Sequence, residues 1–183
     1  MGRRSCASTF GKQGAAVGLV IREAIIDDAG VLLGYAARLF SEELSGLHRR
    51  PVPTLEEELA FVSSYCDPPN SVLLVAEDDA RVVGLVGLLG RALEQEAHVG
   101  SVGLSVDRDY RGRGIGTLLL ERLLEWAPAH GVTRVEIEAF ANNPRALRLY
   151  ERVGFVREGV RRDAVVVDGE HVDVVCLART AVG

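Results

Sequence analysis

The sequence is poor in cysteine and histidine. Its three cysteines, Cys6, Cys66 and Cys176, are far apart, and its four histidines, His48, His98, His130 and His171, are equally scattered. Neither a CxxC pair nor a Cys/His ligand set can be drawn from them, which excludes a disulfide scaffold and a zinc pattern, so no metal is expected. An odd number of cysteines without secretory features reads as reduced thiols in a cytoplasm. Basic excess is missing too. The formal net charge is -5, whereas a general nucleic-acid binder shows a basic face or stripe, so no nucleic-acid partner is expected. Arg3 and Arg4 are not followed by a continuous apolar segment, which excludes a signal peptide. No apolar run approaches the roughly 20 residues that cross a bilayer. The expectation is a soluble, cytoplasmic protein with no membrane partner.

What is present suits one globular domain. The chain has 183 residues, 48% hydrophobic and 26% charged, ordinary proportions for a soluble fold. A chain of this length buries roughly 70% of the surface its unfolded form exposes, so it needs no disulfide or metal to fold. Residues 1–16 are small, polar and aperiodic and read as a flexible extension; residues 17–183 read as the domain. Val17–Glu23 alternates as a first strand, and Asp27 or Asp28 can cap a helix reaching about Ser45. Thr54-Leu55-Glu56-Glu57 is a capping box ahead of a helix to about Tyr65. Ser71–Glu77 and Arg81–Leu89 form a hairpin around Asp78-Asp79-Ala80. Ala97–Val106 is a fourth strand. Gly114–His130 is a long helix with core positions Leu118, Leu119, Leu123 and Trp126. Thr133–Phe140 is a fifth strand, Pro144–Arg152 a short helix and Phe155–Val167 a sixth strand. Asp168-Gly169 then turns the chain into a seventh strand ending near Leu177. The order β-α-α-β-β-β-α-β-α-β-β describes an α/β (α+β) fold with a mixed central sheet, and the helix crossover from strand four to strand five makes those two parallel.

Arg111-Gly112-Arg113-Gly114-Ile115-Gly116 lies between a strand and the long helix. Glycine lets backbone approach an anion with no Cβ in the way. The first helical N–H groups have no partner in the helix, and the positive end of the dipole points at the same spot. A diphosphate fits there. Arg108, Arg111 and Arg113 add three cations within six residues, a local basic pocket in an acidic chain. The loop is not a P-loop, since no Gly-Lys-Ser/Thr follows, and its G-x-G-x-G spacing is not the dinucleotide fingerprint. A plain glycine turn is the other reading of such a loop taken alone.

The segment resembles the coenzyme-A signature Gln/Arg-x-x-Gly-x-Gly/Ala of the GNAT acetyltransferase superfamily, with Arg111, Gly114 and Gly116 at its defined positions. Leu104-Ser105-Val106-Asp107-Arg108-Asp109-Tyr110 resembles that family's strand and turn into the loop. A second pattern follows downstream: Asn143-Pro144-Arg145-Ala146-Leu147-Arg148-Leu149-Tyr150, then Gly154-Phe155. The resemblance covers about Val17 to Arg179 and is strongest between Val102 and Phe155. It implies a sheet of about seven strands flanked by about four helices, with the fourth and fifth strands splayed. It also implies acetyl-CoA as co-substrate and an N-acetyltransferase activity. The pantetheine would lie in the gap, paired with the backbone of Leu104, Ser105 and Val106. Arg111, Gly112, Arg113, Gly114, Ile115 and Gly116 would hold the pyrophosphate, and Asn143 would contact the coenzyme arm. Asn143 also suits simple helix capping, and both roles are compatible.

The reaction is attack of an amine on a thioester with loss of a thiolate. Tyr150 occupies the family position for the general acid that protonates the leaving sulfur, and it also reads as a buried aromatic pinning its helix. Backbone N–H groups of the fourth strand would stabilise developing oxygen charge. A lysine amine, with a pKa of about 10.4, costs roughly 4 kcal/mol to present neutral near pH 7.4, whereas an α-amine near 8 costs well under 1 kcal/mol. Many members carry a glutamate on the fourth strand, eleven residues before the signature; here that position is Gly100. Glu96 and His98 share its parity along an extended strand and are the candidates for a base. The tail from Gly154 to Asp173 resembles the subset acting on protein N-termini, polyamines and small amines, with Glu158, Asp163, Asp168 and Asp173 as candidates to recognise a cationic amine or as a solvated hairpin face. The acceptor is thus expected to be a primary amine of a small molecule, amino acid or peptide N-terminus. A non-catalytic coenzyme-A-binding module and an acyltransferase using a longer acyl-CoA are the competing readings. Relatives are commonly dimers through their sheets or C-terminal strands, so the resemblance admits a homodimer that no residue here decides.

Overall fold

The computed structural model describes residues 18–42 and 51–181; the extension expected over residues 1–16 lies outside them. The chain runs β1 (Leu19–Glu23), α1 (Ala29–Phe40), α2 (Leu55–Cys66), β2 (Val72–Asp78), β3 (Arg81–Gly90), β4 (Val99–Val106), α3 (Ile115–Ala129), β5 (Arg134–Phe140), α4 (Pro144–Arg152), β6 (Val156–Val167) and β7 (Glu170–Thr180). This is the order read from the sequence. The strands join in one mixed sheet, β1-β2-β3-β4-β5-β7-β6, with β4 and β5 parallel.

Local chemistry sets most boundaries. Thr54 Oγ1 accepts from the Glu57 amide at 3.2 Å while Glu57 Oε2 accepts from the Thr54 amide at 2.7 Å, so the capping box forms as expected. Asp79 and Ala80 (φ 48° and 62°), like Asp168 and Gly169 (φ 53° and 83°), are left-handed at both central positions, the geometry that two-residue hairpin turns require. Three readings change. Asp28 precedes α1 without capping it, because its carboxylate accepts from the Ile25 amide at 2.8 Å and pairs with Arg22 at 2.7 Å. Helix α1 ends at Phe40 rather than near Ser45; the Ser41 hydroxyl donates to the Arg38 carbonyl at 2.7 Å, a local bond that competes with helix continuation. Strand β4 begins at Val99, since Glu94–Glu96 turn as a 3-10 helix.

Helices α3 and α4 cover one face of the sheet, and α1 and α2 cover the other over β2 and β3. Ile115, Leu119, Leu120, Leu123 and Trp126 of α3, with Leu147 and Tyr150 of α4, pack on one side against Val83, Val86, Val135 and Ile137. Leu32 and Tyr35 of α1, with Val62 and Tyr65 of α2, pack on the other against Leu73, Val75 and Val82. This double cover explains the continuous apolar runs of β2 and β3. Leu120 takes the core place expected for Leu118, which is half-buried and borders the cleft described next.

Candidate active site

Strands β4 and β5 share a ladder only from Val99↔Arg134 to Val102↔Ile137. Beyond it β4 stays with β3 as far as Gly84↔Val106, and β5 stays with β7 as far as Phe140↔Val174. The sheet therefore opens from Gly103 and Glu138 onward. Hydrogen-bonding direction alternates along a strand. The Asp107 amide donates to the Val83 carbonyl at 2.8 Å and the Val99 carbonyl accepts from Arg91 at 3.0 Å, so odd-numbered residues of β4 turn their backbone to β3. Leu104 and Val106 turn theirs to the gap. Ser105 does not; its hydroxyl accepts from the Tyr35 hydroxyl at 2.9 Å.

The loop after β4 is anchored before it reaches α3. Asp107 is buried and accepts from Arg81 at 2.9 Å, Arg38 at 3.2 Å and the Asp109 amide at 3.3 Å. Burial alone would raise its pKa, but these hydrogen bonds outweigh it and hold the carboxyl below its usual range. Arg111 Nε donates to the Val106 carbonyl at 2.9 Å, and its Nη2 lies 2.6 Å from Glu42 Oε2. Gly112 and Gly114 both have φ +84°, where a Cβ is costly. Gly116 answers to space instead: a Cβ there would stand 3.1 Å from Leu149 Cδ2. The first α3 amide with a helical partner is that of Leu118, which donates to the Gly114 carbonyl at 3.1 Å, so the amides of Ile115, Gly116 and Thr117 are left for an anion.

The cations match those expected only in part: Arg111 borders the cleft and Arg113 does not. Arg111 is spent on β4 and Glu42, and Arg113 stacks over the Tyr110 ring, 4.8 Å from its centroid, outside the cleft lining. Arg145, from the first turn of α4, reaches back so that its Nη2 lies 3.6 Å from where a Gly112 Cβ would sit. It has no acidic partner among the described residues. The cleft between loop, strands and α4 measures about 1340 Å³, and its cations, Arg91, Arg111, Arg145, Arg152 and Arg161, are all arginines.

Tyr150 borders the same cleft at 6% exposure. Its ring packs near Phe155, centroids 6.1 Å apart. Buried phenols usually find a hydrogen-bond partner, as Tyr35 does, yet the Tyr150 hydroxyl has none among the described residues. Burial pushes its pKa up to about 12. Asn143 caps α4, its Oδ1 accepting from the Ala146 amide at 3.1 Å, and it borders the cleft as well.

A splayed β4/β5 pair, an anion loop at a helix start and a tyrosine opposite coincide with a family match over residues 27–155. The chain belongs to the acetyltransferase (GNAT) family. It is an acetyl-CoA-dependent N-acetyltransferase. It is 31% identical over 114 residues to the L-amino acid N-acetyltransferase AaaT of Escherichia coli, covering 62% of this chain and 70% of that one. It is 40% identical over 103 residues to the N-alpha-acetyltransferase RimI of Mycobacterium tuberculosis, covering 55% and 62%. It spans 35% of the rat N-acetylaspartate synthetase, with 39% identity over 57% of this chain. Among solved structures, a GNAT acetyltransferase from Streptococcus pneumoniae superposes with a TM-score of 0.83 at 27% identity, covering 89% and 99% of the two chains. The yncA structure from Salmonella typhimurium, which shares the fold at 19% identity (TM-score 0.78, 89% and 94% covered), carries acetyl-CoA.

In this acetyltransferase the residues present suit that co-substrate. The free amides at the α3 start and Arg145 suit a diphosphate, and the edge left open at Leu104 and at the Val106 amide suits an amide-bearing arm. The expected bases are placed elsewhere. Glu96 lies in the 3-10 turn, paired with Arg91 at 3.1 Å, and His98 is exposed in the turn before β4. Neither borders the cleft, because the shared parity with Gly100 required an extended strand that begins only at Val99. Gly100 itself faces Leu88, whose Cδ2 would stand 2.6 Å from an added Cβ. Gly100→Ala is therefore expected to cost about 1–3 kcal/mol of stability through overpacking, read by urea denaturation; an unchanged midpoint would show that Leu88 yields freely.

Glu158, Asp163, Asp168 and Asp173 are also absent from the cleft lining. Glu158 pairs with Arg134, and Asp173 accepts from the Asp163 amide at 2.9 Å. The acidic residues that do border it are Glu136 and Glu138 on β5. Val135, Ile137 and Ala139 belong to the core under α3 and α4, so the two glutamates point to the opposite face. Glu136 is held by two guanidiniums, Arg91 at 2.7 Å and Arg134 at 2.8 Å. Glu138 pairs with Arg161 alone among the arginines. The sequence signal was weak: Arg134, Glu136 and Glu138 alternate with apolar residues along β5, which an ordinary solvated face gives equally. Among the described residues no cluster of metal-ligating groups occurs, and no helix is long and apolar enough to cross a membrane.

Proposed function

We propose that this enzyme acetylates α-amines, of amino acids or peptide N-termini, with Tyr150 as general acid and Glu138 as general base. The observation that carries the reading is the buried Tyr150 side chain, which borders the cleft and whose hydroxyl has no hydrogen-bond partner among the described residues. When bound, acetyl-CoA supplies an acetyl group on a thioester. Tyr150, from the α3/α4 side, gives a proton to the departing sulfur. Its raised pKa keeps it protonated and able to donate at neutral pH. Glu138, from the other face of the sheet, takes a proton from the incoming ammonium, which loses two in all: one leaves through Glu138, and the other restores Tyr150. The backbone of Leu104 and Val106 orients the arm, and the amides from Ile115 to Thr117 hold the diphosphate. Asn143 fits a second role beside its cap, contact with the arm from α4.

The relatives support an α-amine acceptor, since one is named for L-amino acids and another for N-alpha-acetylation. The test is thiol release from acetyl-CoA with amino acids, N-terminal peptides and polyamines. Turnover with α-amines is expected, and turnover with polyamines alone would overturn the reading. Arg145→Ala is expected to weaken coenzyme-A binding about tenfold or more, the loss of one charge-assisted bond, measured by calorimetry. An unchanged affinity would remove Arg145 from the phosphate site.

A further inference from the structure

The cleft carries a charge pair whose cation, Arg161, has no part in the proton transfers proposed above. Arg161 of β6 hydrogen-bonds through Nη2 to Glu138 Oε2, and both border the cleft. Their side chains are 58% and 53% exposed, so the pair is weakly held and easily exchanged. The other cations are placed differently. Arg91 is committed to Glu96 and Glu136, Arg111 to Glu42 and β4, and Arg145 and Arg152 sit on α4. Val174 is the cross-strand partner of both Arg161 and Phe140, and Phe140, Val165 and Val174 bring an apolar cluster from three strands to the same cleft.

We infer that Arg161 is a specificity residue for the carboxylate of a free α-amino acid with an apolar side chain. This rests on the assignment of Glu138 as base. A zwitterion brings an ammonium and a carboxylate one carbon apart, the mirror image of the Arg161–Glu138 pair. Arg161 exchanges Glu138 for the incoming carboxylate in a bidentate bond, and Glu138 is released toward the ammonium whose proton it takes. The base is thus freed by the substrate that needs it. A free amino acid has that need, since its own carboxylate stabilises the ammonium and raises the amine pKa. An amide or a peptide has no carboxylate at that carbon, so it leaves Arg161 on Glu138.

The test compares leucine, leucinamide and leucylglycine as acceptors for the full-length native enzyme and for Arg161→Gln, with coenzyme-A binding followed by thermal shift as a check on the fold. Native enzyme is expected to prefer leucine at least tenfold in kcat/KM. Arg161→Gln is expected to lower leucine turnover about 10- to 100-fold while changing the other two less than threefold, and Arg161→Lys to restore part of the preference. Equal use of leucine and leucinamide by the native enzyme, or a uniform loss across all three in Arg161→Gln, overturns the inference and leaves the α-amine reading standing. No turnover with any of the three, in protein that binds coenzyme A, overturns both.

Discussion

Tyr150→Phe should lower kcat by about 10²- to 10⁴-fold, the usual worth of a positioned general acid, with the protein otherwise intact. The ring that packs near Phe155 is retained, and the hydroxyl removed has no hydrogen-bond partner among the described residues. No buried group is orphaned by the change, so stability should stay within about 0.5 kcal/mol of native. Coenzyme-A affinity should change little, because the anion loop lies on other residues. The pH profile sharpens the expectation. With burial holding the phenol protonated to about pH 12, loss of the acid cannot produce a fall in rate between pH 7 and 10, and the native profile should rise there as the amine deprotonates. A variant that keeps a third of native kcat would remove Tyr150 from proton transfer and leave it a packing residue.

Glu138→Gln should cost about 10²-fold in kcat/KM near pH 7, the lower end expected of a general base, and the deficit should shrink as pH rises. The reason is arithmetic: a base is needed only while the amine is protonated, and a peptide α-amine titrates near pH 8. The fold should tolerate the change, because the lost ion pair is more than half exposed on both sides. Rate profiles from pH 6 to 10 decide the matter. A deficit constant across that range would mean that Glu138 positions the acceptor rather than accepting its proton.

The fold was largely legible because its signals were local. The Thr54 capping box, the two tight turns and the 3.6-residue period of α3 each fix an element within a few residues, and the loop with its glycines fixes the one between β4 and α3. The site was legible where it is made of backbone. It was less so where side chains choose among neighbours distant in sequence. Nothing near Arg111 in the sequence announces its pairing with Glu42, and nothing near Arg145 announces that α4 brings it to Gly112. The proposed base was not legible, because Gly100 and its neighbours lie on β4, whereas Glu136 and Glu138, which border the cleft, lie on β5. Nothing local in the sequence says that two strands part after Val102 and Ile137, yet that parting exposes Glu138.

That every cation lining the cleft among the described residues is an arginine has a chemical consequence. A guanidinium stays protonated and offers no lone pair, whereas a lysine amine sheds its proton readily when desolvated. Positive charge can therefore be gathered beside a reactive thioester without placing a competing nucleophile there. Among the described residues, an acyl group held in this cleft meets no side-chain amine from its walls that could compete with the acceptor.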